Sequence, residues 1–415
     1  MNVRIKYLVL GLITFCVTGA SAQTASKNLD YYLKQAESVS PLLKDYQNQQ
    51  RAVGIDSLII RATAGAQVTA SSTGMYAPTV RGYGYDEVLT NGQALEALLN
   101  VNYDLLNKKR INNQLQSIKI QSDSIKYASQ LSLYDLQRAV IDQYISAYAS
   151  QEQVGFNLEV VKLLETEEVL LKKLTRSNIY RQSEYLTFLV TLQQQQLVLK
   201  QTELQFKNDF ATLNYLAGLA DTIPVKLADP KLQANFNITN QVFFNKLFDI
   251  DSLKNINQRN AVQFNYHPKL SVYANGGYNS SFALQPYKNF GTSVGFTFSV
   301  PIYDGHQKKK QYEKLSLAAK TTSGYRDFFT RQQQQQLQLI RQQINQTNAL
   351  FPKIEEQIRL SKGLIEVDSK LMHTGDLKVA DFVIAINNYM AAQNLLRQTN
   401  INRLKLINQL NYWNR

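Results

Sequence analysis

Two hydrophobic rhythms alternate along this chain. Four short stretches repeat every second residue, which is the mark of a strand with two unlike faces. The clearest is 289–303: Phe290, Thr292, Val294, Phe296, Phe298, Val300 and Ile302 fall on one side, and Asn289, Gly291, Ser293, Gly295, Thr297, Ser299 and Pro301 on the other. Residues 95–106 set Leu95, Ala97, Leu99, Val101, Tyr103 and Leu105 against Glu96, Asn100, Asn102 and Asp104. Residues 269–279 set Leu270, Val272, Ala274 and Tyr278 against Ser271, Tyr273 and Asn275, and 67–76 carry a weaker version of the same pattern. Between these strands the period lengthens to that of helices. Residues 112–175 and 307–372 contain no Gly-Pro loop cluster, and helices of that length run on the order of 95–100 Å. In the second, Ile340, Ile344, Thr347, Phe351, Ile354, Ile358, Ser361, Ile365, Asp368 and Met372 step by four and three, which is heptad spacing. Thr347, Ser361 and Asp368 dilute the seam, as expected of a wall with water on one face. Pro352 and Gly363 are expected to kink this helix without ending it.

The two rhythms occur twice. Setting residues 175–188 (TRSNIYRQSEYLTF) on 372–385 (MHTGDLKVADFVIA) aligns Glu184 with Asp381, Tyr185 with Phe382 and Arg181 with Lys378, each pair 197 residues apart. The same offset aligns the triplet Leu213-Asn214-Tyr215 with Leu410-Asn411-Tyr412, and upstream Asn107 with Asp304. The sequence predicts two similar halves, 23–219 and 236–415, each a helix, a strand pair, a long helix, a turn and a helix. Residues 220–235, with Pro224, Pro230 and no helical period, read as the linker.

An apolar face opposite a small, polar one suits a barrel wall between lipid and water. A soluble sandwich strand shows the same alternation, but four strands in a helical chain leave no second sheet. Four strands cannot close a barrel, and an open sheet edge cannot face lipid, so copies of the chain are expected to share one ring.

Residues 1–22 read as a secretory signal: Arg4 and Lys6, an apolar run 7–17, and the small-residue site Ala20-Ser21-Ala22. The single cysteine, Cys16, falls inside it, so the mature chain is expected to carry no disulfide and no thiol chemistry. The formal net charge of +13 is spread among Asn and Gln, which reads as solvated helix faces and not as a nucleic-acid surface. His267, His306 and His373 lie far apart, and no Walker or H-E-x-x-H motif occurs. No catalytic site, metal site or cofactor is expected.

Residues 294–305 (VGFTFSVPIYDG), followed by the basic helix start His306-Gln307-Lys308-Lys309-Lys310, resemble the strand-exit signature of the TolC-like outer-membrane efflux proteins. Residues 101–112 (VNYDLLNKKRIN) are its echo in the first half, without the Pro and the Gly. Residues 29–43 resemble the opening helix of that family. Residues 375–382 (GDLKVADF) and 178–185 (NIYRQSEY) resemble the turns at its periplasmic tip. The resemblance implies a mainly α protomer with a small β contribution, giving four strands to a trimeric twelve-strand barrel above a coiled-coil tunnel. It implies an outer-membrane location with a periplasmic extension, and passive export in partnership with a periplasmic adaptor and an inner-membrane pump. It assigns adaptor docking to Asn178, Ile179, Tyr180, Ser183, Gly375, Asp376, Leu377 and Lys378, and the tunnel entrance to Asp381 and Glu184. A second acidic position of the family is Ile384 here, so a double acidic ring is not reproduced. Two roles stay open for Asp381 and Glu184: an acid at a narrow pore, or a helix N-terminal acid favoured by the macrodipole. The rival reading is a periplasmic coiled-coil adaptor or scaffold, which explains the helices and the secretion but not the strand pairs.

Overall fold

The structure is a computed structural model that describes residues 27–86, 88, 92–221, 223–236, 242–282 and 285–415. The signal assigned to residues 1–22 lies outside the described residues.

The alternating stretches form one antiparallel sheet, in the order β1 (Gln67–Tyr76), β2 (Gln93–Asp104), β3 (Lys269–Ser280) and β4 (Phe290–Ser299). The register keeps the two faces separate. Val68, Val101, Ala274 and Val294 form one cross-strand row on the apolar face, and Tyr103, Val272 and Phe296 form the next. On the other face Thr69, Asn100, Asn275 and Ser293 align. There Asn100 Nδ2 donates to Ser71 Oγ at 2.9 Å, and Ser293 Oγ donates to Asn275 Oδ1 at 2.6 Å. β4 stops at Ser299, four residues short of the predicted end, because Pro301 has no N–H to continue a ladder. Gly276 and Gly277 lie inside β3 in unbroken register. At Gly277 (φ +155°) an added Cβ would lie 2.2 Å from the Ala97 carbonyl oxygen, so the pair marks a close approach of two strands and not a turn.

Most of the other described residues are helical. The opening segment is two helices, α1 (Leu29–Val39) and α2 (Pro41–Thr63), where the sequence suggested one. Ser40 ends the first and caps the second, its Oγ accepting from Leu43 N at 3.4 Å, and Pro41 occupies a first-turn position where its missing N–H costs nothing. The two long helices are α3 (Lys108–Arg176, 69 residues) and α6 (Gln307–Thr374, 68 residues). α3 starts four residues before its predicted start, and α6 runs through Pro352 and Gly363 unbroken. They fold back as α4 (Gln182–Leu216) and α7 (Val379–Trp413), and α5 (Val242–Asn265) precedes β3. All ten seam positions of α6 are buried or half-buried, with Ile340, Ile344, Ile354, Ser361, Ile365, Asp368 and Met372 fully so.

Residues 223–235 run without helix or strand apart from a bridge between Leu227 and Lys27. They are nonetheless fastened. The Tyr144 hydroxyl donates to Ala228 O at 2.6 Å, and Gln151 bonds both the N–H and the carbonyl of Leu227. Leu227 thereby joins a core with Tyr32, Tyr144, Phe210 and Leu213.

The antiparallel order places the ends of α2, α3, α5 and α6 that adjoin strands at one end of the sheet. β1 starts where α2 ends, β2 leads into α3, β3 starts where α5 ends, and β4 leads into α6. The described residues of the other two connections, 77–86, 88 and 92 and 281–282 and 285–289, lie at the opposite end.

Candidate functional site: an uncovered sheet face and a paired helical tip

The sheet's apolar face is the first unusual surface. Val68, Leu99, Phe290, Val294, Phe296 and Phe298 are all exposed, Phe296 to 72 % and Val294 to 83 %. A contiguous apolar sheet face of this kind marks a surface that meets another apolar phase. No described helix is long and apolar enough to cross a membrane. The outer edges of β1 and β4 carry no partner among the described residues.

The second surface is the far end of the hairpins, where the two turns share one geometry. α3 ends on Asn178 in the left-handed region (φ +60°), and Ile179 N donates to Leu174 O at 3.0 Å. α6 ends on Gly375 (φ +86°), and Asp376 N donates to Leu371 O at 3.0 Å. These are matching C-terminal caps, and each position of one lies 197 residues from its counterpart. Asn tolerates the left-handed conformation well enough for the first. Gly375 has a further reason, since a Cβ there would meet Ile179 Cγ2 at 2.6 Å. The two turns are therefore packed on each other.

Tyr180 fastens them. Its hydroxyl donates to Leu377 O at 2.9 Å and lies 3.1 Å from Met372 O, and the ring is 5 % exposed. Burial, with Glu184 nearby, pushes its hydroxyl above the usual tyrosine range. Beneath it Phe188, Met372, Val379 and Phe382 are buried in a core shared by both hairpins, with the Phe188 and Phe382 rings stacked at 6.4 Å. Tyr180, which the resemblance assigned to docking, is thus buried between the two turns. Gly375 and Leu377 are half-buried. Asn178, Ile179, Ser183, Asp376 and Lys378 are exposed.

The two acidic candidates part company. Glu184 Oε2 accepts from Arg181 N at 3.0 Å, so this carboxylate is engaged as the N-terminal cap of α4. Asp381 sits in the first turn of α7, exposed, with no side-chain hydrogen bond among the described residues. Asp368 lies on the buried seam of α6, and burial, reinforced by Asp381, raises its carboxyl above the usual range. One tie between the hairpins had no sequence signal. The buried Glu167 of α3 accepts from Ser369 Oγ at 2.9 Å and lies 3.6 Å from His373 Nε2 on α6. The partners are some 200 residues apart, and no periodicity links them. Among the described residues no three His, Cys, Asp or Glu side chains stand together as metal ligands.

No protein-family model and no curated protein matches the chain. Solved structures do. The outer-membrane protein VceC of Vibrio cholerae superposes with a TM-score of 0.75 at 12 % identity, over 93 % of this chain and 96 % of that one. CusC, described for its transmembrane channel formation, gives 0.77 at 11 % identity over 94 % and 92 %. The open MtrE outer-membrane channel of Neisseria gonorrhoeae gives 0.70 at 11 % identity over 93 % and 88 %. With its four-stranded sheet, paired long hairpins and near-complete superposition, the chain has the fold of a TolC-like outer-membrane channel protomer.

Proposed function

We propose that this protein is an outer-membrane export channel, a passive duct from the periplasm or an inner-membrane pump to the exterior, and not an enzyme. The observation that carries the reading is the sheet: one face apolar and uncovered, the other mostly polar, and both edges without a partner among the described residues. Lipid would cover the first face, water the second, and neighbouring copies the edges. Three copies of a four-stranded sheet make a twelve-strand wall. The helices, all leaving one end of the sheet, would form the periplasmic tunnel. On this reading the chain is two copies of one unit, 23–219 and 236–415, joined by 220–235.

The paired tip is the end farthest from the membrane. Asn178, Ile179, Ser183, Asp376 and Lys378 would meet a periplasmic adaptor that couples the channel to its pump. Asp381 is the better of the two entrance acids, because Glu184 is committed to its cap. Three Asp381 carboxylates converging on the symmetry axis would favour cations and tune a gate. The test is conductance of the purified protein in a planar bilayer, with its oligomeric state in detergent. A heat-modifiable trimer that conducts is expected. A monomer with a closed barrel, or a soluble protein that forms no pores, overturns the reading.

A further inference from the structure

Where the strands give way to helices, a cleft of about 350 Å³ opens beneath the two central strands. Leu105, Leu106 and Phe264 wall it, and Lys108, Lys109, Arg110 and Lys269 rim it. Leu105 continues the apolar row of β2 one step past Tyr103, and its N–H still donates to Leu270 O at 2.9 Å. Leu105 thus carries the apolar row of β2 into the cleft, while Leu106 and Lys269, which follow the opposite parity, line it from the strand ends. We propose that it binds an anionic phospholipid of the periplasmic leaflet, acyl chain against the apolar wall and phosphate among the cations. This rests on the channel reading above.

Charge makes the case for an external anion. Asp104 engages Arg110 at 3.1 Å, while Lys108, Lys109 and Lys269 have no ion-pair partner among the described residues. No acid lines the cleft. Nor do the lysines serve the helix. Lys108 and Lys109 occupy the first turn of α3, where the macrodipole is already positive and no acidic residue offsets it. Three cations gathered where they do not steady the fold are placed to meet a negative partner.

Position selects the kind of anion. A soluble phosphate would have no use for the Leu105, Leu106 and Phe264 wall, whereas a phospholipid presents a phosphate and an apolar chain at this depth. Basic pockets beside membrane-spanning elements hold anionic headgroups by the same logic. A neighbouring copy is a poorer occupant: β2 and β3 are the inner strands, and the free edges are those of β1 and β4.

The test uses the full-length mature protein in nanodiscs of phosphatidylethanolamine with a minor fraction of phosphatidylglycerol, with retained lipid measured by native mass spectrometry. The wild type is expected to retain phosphatidylglycerol well above its share of the mixture. K108Q/K109Q/K269Q should lose that enrichment by about fivefold for each cation that contributes. K172Q/K173Q/K200Q, which removes equal charge from the hairpins, should keep it. Inorganic phosphate at millimolar concentration should leave the enrichment intact. Folding of each variant is checked by its heat-modifiable oligomer. A protein that inserts and conducts but shows no phosphatidylglycerol enrichment overturns the lipid site alone. So does equal loss in both triple variants, or displacement by inorganic phosphate. Failure to insert into any bilayer overturns the channel reading and this inference with it.

Discussion

The Tyr180 hydroxyl, carried by the turn between α3 and α4, donates to the Leu377 carbonyl in the turn between α6 and α7, at 2.9 Å. One phenol thus joins two hairpins that are nearly 200 residues apart in sequence. Tyr180→Phe keeps the ring in its core and removes only the bond, which should cost about 1 kcal/mol. Tyr180→Ala also empties a buried aromatic site and should cost about 3–5 kcal/mol. Hydrogen exchange at residues 371–379 should accelerate in the first variant and more so in the second. Unchanged protection in both would mean that the tip is held by other contacts.

Gly375 and Asn178 occupy equivalent left-handed positions but differ in their surroundings. Gly375→Ala introduces a Cβ at positive φ and into Ile179 Cγ2, so a loss of about 1–3 kcal/mol is expected. Asn178→Gly should be close to neutral, because glycine adopts the same conformation at no steric cost. Thermal unfolding of the two variants side by side is the measurement. Equal effects would argue against close packing of the turns.

The two sheet faces should respond differently to charge. Phe296→Arg places a cation on the uncovered apolar face and should impair membrane assembly by about 2–4 kcal/mol if it lies near the bilayer midplane. Thr297→Arg, one residue on and on the opposite face, should assemble and alter conductance instead. Assembly of both variants like the wild type would mean that β4 is not a barrel wall.

Asp368 is a buried carboxyl whose proton is held more tightly in the folded chain than in the unfolded one. Its linkage therefore favours the fold at pH below the unfolded value of 3.8 and withdraws that support as pH rises through the raised folded value. At neutral pH Asp368→Asn should raise the unfolding temperature of the helical region. The gain should shrink as the solution is acidified, because the wild-type carboxyl is then neutral as well. A gain independent of pH would assign it to packing. Asp381→Asn removes the charge facing Asp368 and should produce part of the same gain, together with weaker cation preference in single-channel records.

Local order was readable from local pattern. Period-2 alternation specified all four strands and their faces, since a strand's faces follow from residue parity. Heptad steps marked the α6 seam, Asp368 included, because a helix repeats every few residues whatever it packs against. The matched turns at Asn178 and Gly375 were signalled by the 197-residue offset. Strand ends were legible only partly: Pro301 carried the stop signal for β4, yet the alternation ran on past it.

Tertiary structure alone decided which tip side chains are buried and which are bonded. In the sequence Tyr180 was one more residue of a polar turn, and its burial depends on the other hairpin arriving beside it. Glu184 and Asp381 occupy equivalent positions, yet one carboxylate caps its helix while the other makes no side-chain hydrogen bond among the described residues and adds to burial in raising the carboxyl of Asp368. The lysines of the cleft look like ordinary solvated charges until β2 and β3 bring Lys269 to the start of α3. In each case the deciding contact joins residues far apart in the chain, and short-range periodicity carries no information about which distant element will be the neighbour.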